Sequence, residues 1–180
     1  MSYLYWKWDK AIPKEYCELI IKNIDWNKKE TALITGKGLE LKSCNKKRKT
    51  DIVWEKEMSV VGCIANSYIK TANLSAGWNY NLTNTEEIQL GKYYNGGFYG
   101  WHNDSNIISE NPRKLSFTLL LNDSSEFKGG KLEFKNEKEQ PTLEQGTIIV
   151  FPSFIEHRVT PVTSGERYSA VTWMHGPNFK

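Results

Sequence analysis

The hydrophobic period of this chain changes once, at about residue 86, and that change limits the fold more than any other property. Upstream, apolar residues recur at helical spacing. Ile12, Tyr16, Leu19, Ile20 and Ile24 share one face of a helix predicted over 13–24, with Pro13 where the first turn begins. Met58, Val61, Ala65, Tyr68 and Ala72 form a second stripe, with Gly77 just beyond its end. Downstream the pattern is extended. Strands are predicted at 87–94, 115–121, 131–135, 147–151, 156–162 and 167–174, rich in Leu, Ile, Val, Tyr, Phe and Thr. Gly96-Gly97, Gly129-Gly130, Gly146 and Ser164-Gly165 read as hairpin turns. Helices first and short antiparallel strands afterwards predict an α+β fold, a jelly roll with two N-terminal helices packed on one sheet.

A length of 180 residues suits one domain with a sizeable core, divided into a helical layer, 1–85, and a jelly-roll core, 86–176. The net charge of +3 provides no broad phosphate-binding surface. No stretch approaches the roughly 18 apolar residues of a membrane span. The first residues lack the basic-then-apolar order of a secretory signal. Cys17, Cys44 and Cys63 form no Cys-x-x-Cys pair and are expected to be buried free thiols in a reducing, cytoplasmic setting. The Asn-x-Ser/Thr triplets at Asn73 and Asn81 then carry no glycosylation meaning. The basic run 42–49 is read as a solvated loop, with a lid or a surface for an acidic partner as the sharper reading.

His102-Asn103-Asp104 falls between the first two predicted strands, and His157 opens a later one. The chain holds three histidines, and this arrangement uses two of them. A His-x-Asp pair in a strand puts both side chains on one face. A third ligand from a neighbouring strand completes the two-imidazole, one-carboxylate set that leaves three positions open on a non-haem Fe(II). The same donors also make a catalytic zinc site. Asn103-Asp104-Ser105-Asn106 is turn-like enough to hold a surface histidine instead. Arg167, opening the last predicted strand, stands where a guanidinium fork could clamp a carboxylate in two parallel hydrogen bonds. His175 is assigned no role and is expected to be partly exposed.

These residues lie in motifs that follow one another in a known order. Tyr93-Tyr-Asn-Gly-Gly-Phe-Tyr-Gly-Trp-His-Asn-Asp104 resembles the Tyr-x-x-Gly-Gly-x-Tyr-x-x-His-x-Asp element of the Fe(II)- and 2-oxoglutarate-dependent dioxygenases of the prolyl-hydroxylase branch. The segments 115–122 and 129–134 resemble the strand and Gly-Gly-x-Leu turn that follow it in that family. Gly146–Pro152 resembles the strand leading to the distal histidine, and His157–Trp173 the closing block. The resemblance covers 86–176 strongly and the helical half loosely.

It implies a double-stranded β-helix of jelly-roll or cupin type. It also implies Fe(II), O2 and 2-oxoglutarate, with ascorbate in support. His102, Asp104 and His157 become the metal ligands, and Arg167 the partner of the distal carboxylate of 2-oxoglutarate. Tyr93 donates a hydroxyl hydrogen bond to the same co-substrate, and Thr118 or Thr172 adds another. Tyr99, Trp101 and Trp173 form a ring around the substrate. Arg48, in a segment that resembles the substrate entrance of prolyl hydroxylases, flanks that ring. The implied reaction is hydroxylation of a prolyl residue in a peptide or protein. A free amino acid or other small molecule is the alternative substrate, and a non-catalytic binding or sensing module the alternative role. Nucleic-acid demethylases among these relatives carry a second arginine at the position held here by Trp173, so no nucleic-acid partner is expected, and no membrane.

Overall fold

The computed structural model describes residues 3–31, 34–35, 41–42, 47–105 and 109–178, the side chains of 31, 34, 35, 41 and 42 excepted. Residues 43–46 of the basic run 42–49, Cys44 among them, lie outside them. Helix α1, Lys14–Asn23, follows Pro13 directly and buries Cys17 and Ile20. Helix α2, Val60–Ser75, starts from Ser59, whose hydroxyl accepts a hydrogen bond from the Gly62 N–H at 3.2 Å. Such a cap satisfies one of the donors that the first turn leaves open. Because the cap sits at Ser59, Met58 lies outside the helix and is 77% exposed, not part of the apolar stripe. Beyond α2, Gly77 takes a φ of +71°, which suits a residue without a Cβ. Cys63 is exposed on α2 instead of buried, because it points away from the Val61, Ala65, Ile69 face. No helix among the described residues is long and apolar enough to cross a membrane.

The strands form two main sheets. The larger has the order Trp6–Trp8, Ile148–Pro152, Arg113–Leu120, Arg167–His175, Ile88–Tyr93, Asp51–Glu55, Glu30–Thr31. The smaller has the order Leu132–Phe134, His157–Val159, Phe98–His102, Arg48–Lys49. Every pairing in both is antiparallel. This is the double-stranded β-helix expected from the sequence, with one difference. The stretch before residue 86 is not only helical, since it supplies three strands of the larger sheet and one of the smaller. Trp6–Trp8 is too short to show a period, and Ile52-Val53-Trp54 is an unbroken apolar run without alternation.

The glycine turns also differ from expectation. Gly96-Gly97 carries the chain from Ile88–Tyr93 in the larger sheet to Phe98–His102 in the smaller one. Ser164-Gly165 is not a turn: it pairs with Phe127-Lys128 in a separate two-stranded ribbon, and Glu166 alone joins that ribbon to Arg167–His175. In both places the chain changes sheet, so each strand finds its hydrogen-bond partner far away in sequence.

Alternation on the larger sheet assigns its two faces. Ile88, Leu90, Leu115, Leu119, Ile148, Val150, Ala170 and Met174 join Ile20 and Ile24 of the α1 region and Val61, Ala65, Ile69 and Ala72 of α2 in one core. Burying one such leucine or isoleucine contributes roughly 1.5–3 kcal/mol. The intervening residues face the smaller sheet, and there the cavity lies.

Candidate active site

His102 and His157 are Cα partners across the smaller sheet, and the register slips before Tyr99 pairs with Val159. The slip places an extra residue on the Phe98–His102 strand. Tyr99 and His102 therefore project to the same side despite their spacing, as a bulge allows. Their rings stack with centroids 3.4 Å apart and planes within 14°. Trp101 is left on the other face, 41% exposed, under the Arg158 guanidinium at 4.6 Å. It does not join a ring with Tyr99 and Trp173 around the cavity.

Asp104 lies beyond the strand end, so plain strand alternation does not aim it. Backbone hydrogen bonds do. The N–H groups of Asp104 and Ser105 both donate to the Ser153 carbonyl, at 2.8 and 3.0 Å. The Ser116 hydroxyl donates to Asp104 Oδ2 at 2.7 Å and lies 2.9 Å from the Ser153 hydroxyl. One ligand atom from each of His102, Asp104 and His157 then falls within 4.8 Å of the others. His102 Nε2 is 3.5 Å from Asp104 Oδ1, and His157 Nε2 is 3.6 Å from Oδ2.

The two imidazoles are oriented alike. His102 Nδ1 lies 2.8 Å from the Gly100 carbonyl and His157 Nδ1 2.9 Å from that of Ile155. A carbonyl only accepts, so each Nδ1 carries a proton and each Nε2 is turned toward Asp104. Burial lowers the His157 imidazole to about 4 against the pull of Asp104, so it is neutral at neutral pH. Burial pushes the Asp104 carboxyl up, but His157, His102 and the Ser116 hydroxyl together hold it below the usual carboxylate range. Two imidazoles and one carboxylate whose ligand atoms converge fit a divalent cation bound on one side. Taken alone, this donor set suits Fe(II) or Zn(II).

The cavity in front of the three ligands holds about 480 Å3 of empty space, part of it open to solvent. Gln89, Tyr93, Thr118, Arg167, Ser169, Val171 and Trp173 line its larger-sheet wall. Arg167 is 2% exposed, donates to the Ser169 hydroxyl at 3.0 Å and lies 5.3 Å from the centre of the Tyr93 ring. Tyr93 is its Cα partner across the ladder. A Cβ on Gly130 would meet Arg167 Cδ at 2.8 Å, and its φ is +59°, so this glycine leaves room for the guanidinium. Burial lowers the Arg167 pKa, with Tyr93 opposing, yet a guanidinium remains charged. No carboxylate among the described residues pairs with it. A buried cation of this kind suits a ligand that carries a carboxylate.

Other expected residues separate. Thr118 lines the cavity, while Thr172 is on the opposite face, where its hydroxyl donates to the Glu86 carbonyl at 2.9 Å. Trp173 is 5% exposed and lines the cavity, with its indole N–H unpartnered among the described residues. Arg48 is buried at the other wall, over the Tyr99 ring at 4.5 Å. Burial pushes the Tyr99 hydroxyl up to about 12, so it stays protonated.

Three features escaped the sequence reading. Gln89 lines the cavity, and its place four residues before Tyr93 on the same strand face was the available signal. Ser116, two residues before Thr118, could have been placed in the same way. The third has no sequence signal. Arg113 makes a two-pronged ion pair with Glu86, both contacts 2.6 Å, and its guanidinium covers Trp173 at 3.8 Å. His175 Nε2 meets the same Glu86 carboxylate at 2.6 Å, which gives this half-buried histidine a structural partner.

A jelly roll whose two sheets enclose a two-histidine, one-carboxylate centre and a buried arginine offers a metal site beside a site for a carboxylate. Residues 88–175, just under half of the chain, match the model of the 2OG-Fe(II) oxygenase superfamily. A PKHD-type hydroxylase of Idiomarina loihiensis is 33% identical over 99 residues, 52% of this chain and 45% of the relative. Another, of Parvibaculum lavamentivorans, is 39% identical over 89 residues, 48% and 41% of the two chains. The matched stretch thus spans less than half of these relatives. In fold the chain is similar to the viral collagen prolyl hydroxylase of Paramecium bursaria Chlorella virus-1, with a TM-score of 0.75, 20% identity and 97% of each chain covered. It is also similar to a Pseudomonas putida prolyl-4-hydroxylase, with a TM-score of 0.73, 19% identity, and 98% and 94% covered.

Proposed function

We propose that this protein is an Fe(II)- and 2-oxoglutarate-dependent dioxygenase that hydroxylates an unactivated C–H bond, with a prolyl residue of a peptide or protein as the substrate. Residues 86–176 are its catalytic core, and 1–85 supply packing and the substrate entrance. The observation that carries the reading is Arg167, a buried guanidinium without a carboxylate partner among the described residues, in the cavity that the three ligands face.

When bound, Fe(II) with 2-oxoglutarate and O2 supplies the oxidising power that hydroxylates carbon and releases succinate and CO2. The chain's own residues do the rest. His102, Asp104 and His157 hold the metal from one side and leave the cavity side for ligands. Ser116 and the Ser153 carbonyl keep Asp104 aimed, so the carboxylate need not reorganise on binding. Arg167 takes the distal carboxylate of the co-substrate, with the Tyr93 and Thr118 hydroxyls beside it. Tyr99 and Trp173 present apolar faces that exclude water and position the target carbon.

Support for a peptide comes from similar folds. One is a prolyl hydroxylase of Trichoplax adhaerens in complex with a hypoxia-inducible-factor peptide fragment, with a TM-score of 0.69, 17% identity, and 95% and 83% covered. A cytoplasmic setting fits the free thiols Cys17 and Cys63. The test is conversion of 2-oxoglutarate to succinate with Fe(II), alongside mass spectrometry of proline peptides for a gain of one oxygen. His102→Ala is expected to abolish both. Full turnover in that variant would refute the ligand assignment. Turnover of 2-oxoglutarate with no oxygenated prolyl peptide would move the substrate to a small molecule.

A further inference from the structure

Arg48 is a second buried guanidinium in the cavity, and neither the metal centre nor the co-substrate clamp uses it. It is 7% exposed and pairs with Tyr99 across the smaller sheet. Its guanidinium lies over the Tyr99 ring at 4.5 Å, and that ring stacks on His102 at 3.4 Å. One terminal N–H group donates to Gln89 Oε1, an uncharged amide. Its Nε has no hydrogen-bond partner among the described residues. Among the described residues, Asp104 is the only carboxylate that lines the cavity, and it belongs to the metal centre. Arg48 is therefore the cation left over. A buried charge with no counter-charge is unfavourable, because its surroundings replace water poorly. A carboxylate matches a guanidinium in both charge and geometry, which a neutral carbonyl does not.

We propose that the substrate of this enzyme presents a carboxylate to Arg48, one tyrosine ring away from the metal centre. The proposal rests on the oxygenase reading above and narrows it. The carboxylate can come from an acidic residue beside the target proline, from the free C-terminus of a peptide, or from a free amino acid. A neutral, capped prolyl peptide leaves Arg48 unmatched.

Four probes separate these sources. They are a capped neutral prolyl peptide, the same peptide with a glutamate beside the proline, the same peptide ending in proline with a free carboxylate, and free L-proline. Binding is measured by calorimetry on the protein loaded with Fe(II) and 2-oxoglutarate under anaerobic conditions, so that no turnover intervenes. At least one carboxylate-bearing probe is expected to bind about 10-fold or more tightly than the capped neutral peptide. That excess is expected to disappear in Arg48→Gln, and the probe that gains identifies the source. Equal binding of neutral and acidic probes to the unchanged protein would overturn the proposal, and so would a preference that survives in Arg48→Gln. Binding by none of the probes would overturn it too, while a charge-transfer band on adding 2-oxoglutarate to the Fe(II) protein would leave the oxygenase reading standing. Absence of that band would instead refute the oxygenase reading. The comparison of probes on the unchanged protein needs no variant, so it stands even if Arg48→Gln does not fold.

Discussion

The two faces of the larger sheet are made from the same strands and serve opposite ends. Along Arg167–His175, Ala170, Thr172 and Met174 point to the helices, while Arg167, Ser169, Val171 and Trp173 point to the cavity. Along Arg113–Leu120, Leu115 and Leu119 alternate with Ser116 and Thr118. On the helix face a polar group survives only with a partner, as Thr172 does with the Glu86 carbonyl. On the cavity face Arg167 is left without a counter-charge among the described residues. The difference teaches that stability and chemistry here are separated by one residue of register. A site built on strands whose reverse side is close-packed core is held rigidly at no further cost in chain length.

The largest effects should divide along that line. Asp104→Ala should lower turnover by about 10^3-fold or more, equal to roughly 4 kcal/mol, through loss of the metal. Its apoprotein should lose only the stability that the ionised Asp104 draws from His157, His102 and Ser116, less than the loss in a core variant. Leu119→Ala, fully buried on the helix face, should cost about 2–5 kcal/mol of stability. Turnover per folded molecule should hardly change. Denaturation and steady-state assays on both variants check this, and similar losses in both measurements for both variants would dissolve the separation of faces.

Acid should act through the cavity side. The folded His157 imidazole titrates at about 4, below its ordinary 6.5. The stability tied to its neutral form is complete above 6.5 and is lost as pH falls from there through about 4. Roughly 3 kcal/mol at most is involved. Asp104, also held low when folded, adds a loss of the same sign below the usual carboxylate range. Denaturant titrations of metal-free protein between these values should show the slope. His157→Leu should remove the part above 4, and Leu119→Ala should leave the slope intact.

How much of this was legible follows from the range of each interaction. The ligands and Arg167 could be picked out because their chemistry is carried by residue type and by motifs read in order. The helices showed through their long stripes. Phe98–His102 was not predicted as a strand, because Gly100 and the register slip break its alternation. The same slip undid the expected ring: alternation sets Trp101 on the Tyr99 face, but the extra residue turns Tyr99 to the His102 side and leaves Trp101 outside. Glu86, Arg113 and His175 meet only because distant strands are brought together, and nothing local announces it.

Thr118 and Thr172 offer the smallest and cleanest test of the two faces, because the residue type is the same and they lie on adjacent strands. In Thr118→Val the cavity loses a hydroxyl that faces the co-substrate, so KM for 2-oxoglutarate should rise by about 5-fold, near 1 kcal/mol, with unchanged stability. In Thr172→Val the Glu86 carbonyl loses its 2.9 Å donor inside the core. Stability should fall by about 1 kcal/mol while KM stays as it was. Glu86 also anchors the Arg113 guanidinium that covers Trp173, so a shift of its backbone would reach the cavity. A rise in KM for the prime substrate, but not for 2-oxoglutarate, in Thr172→Val would therefore show that the faces communicate through Glu86.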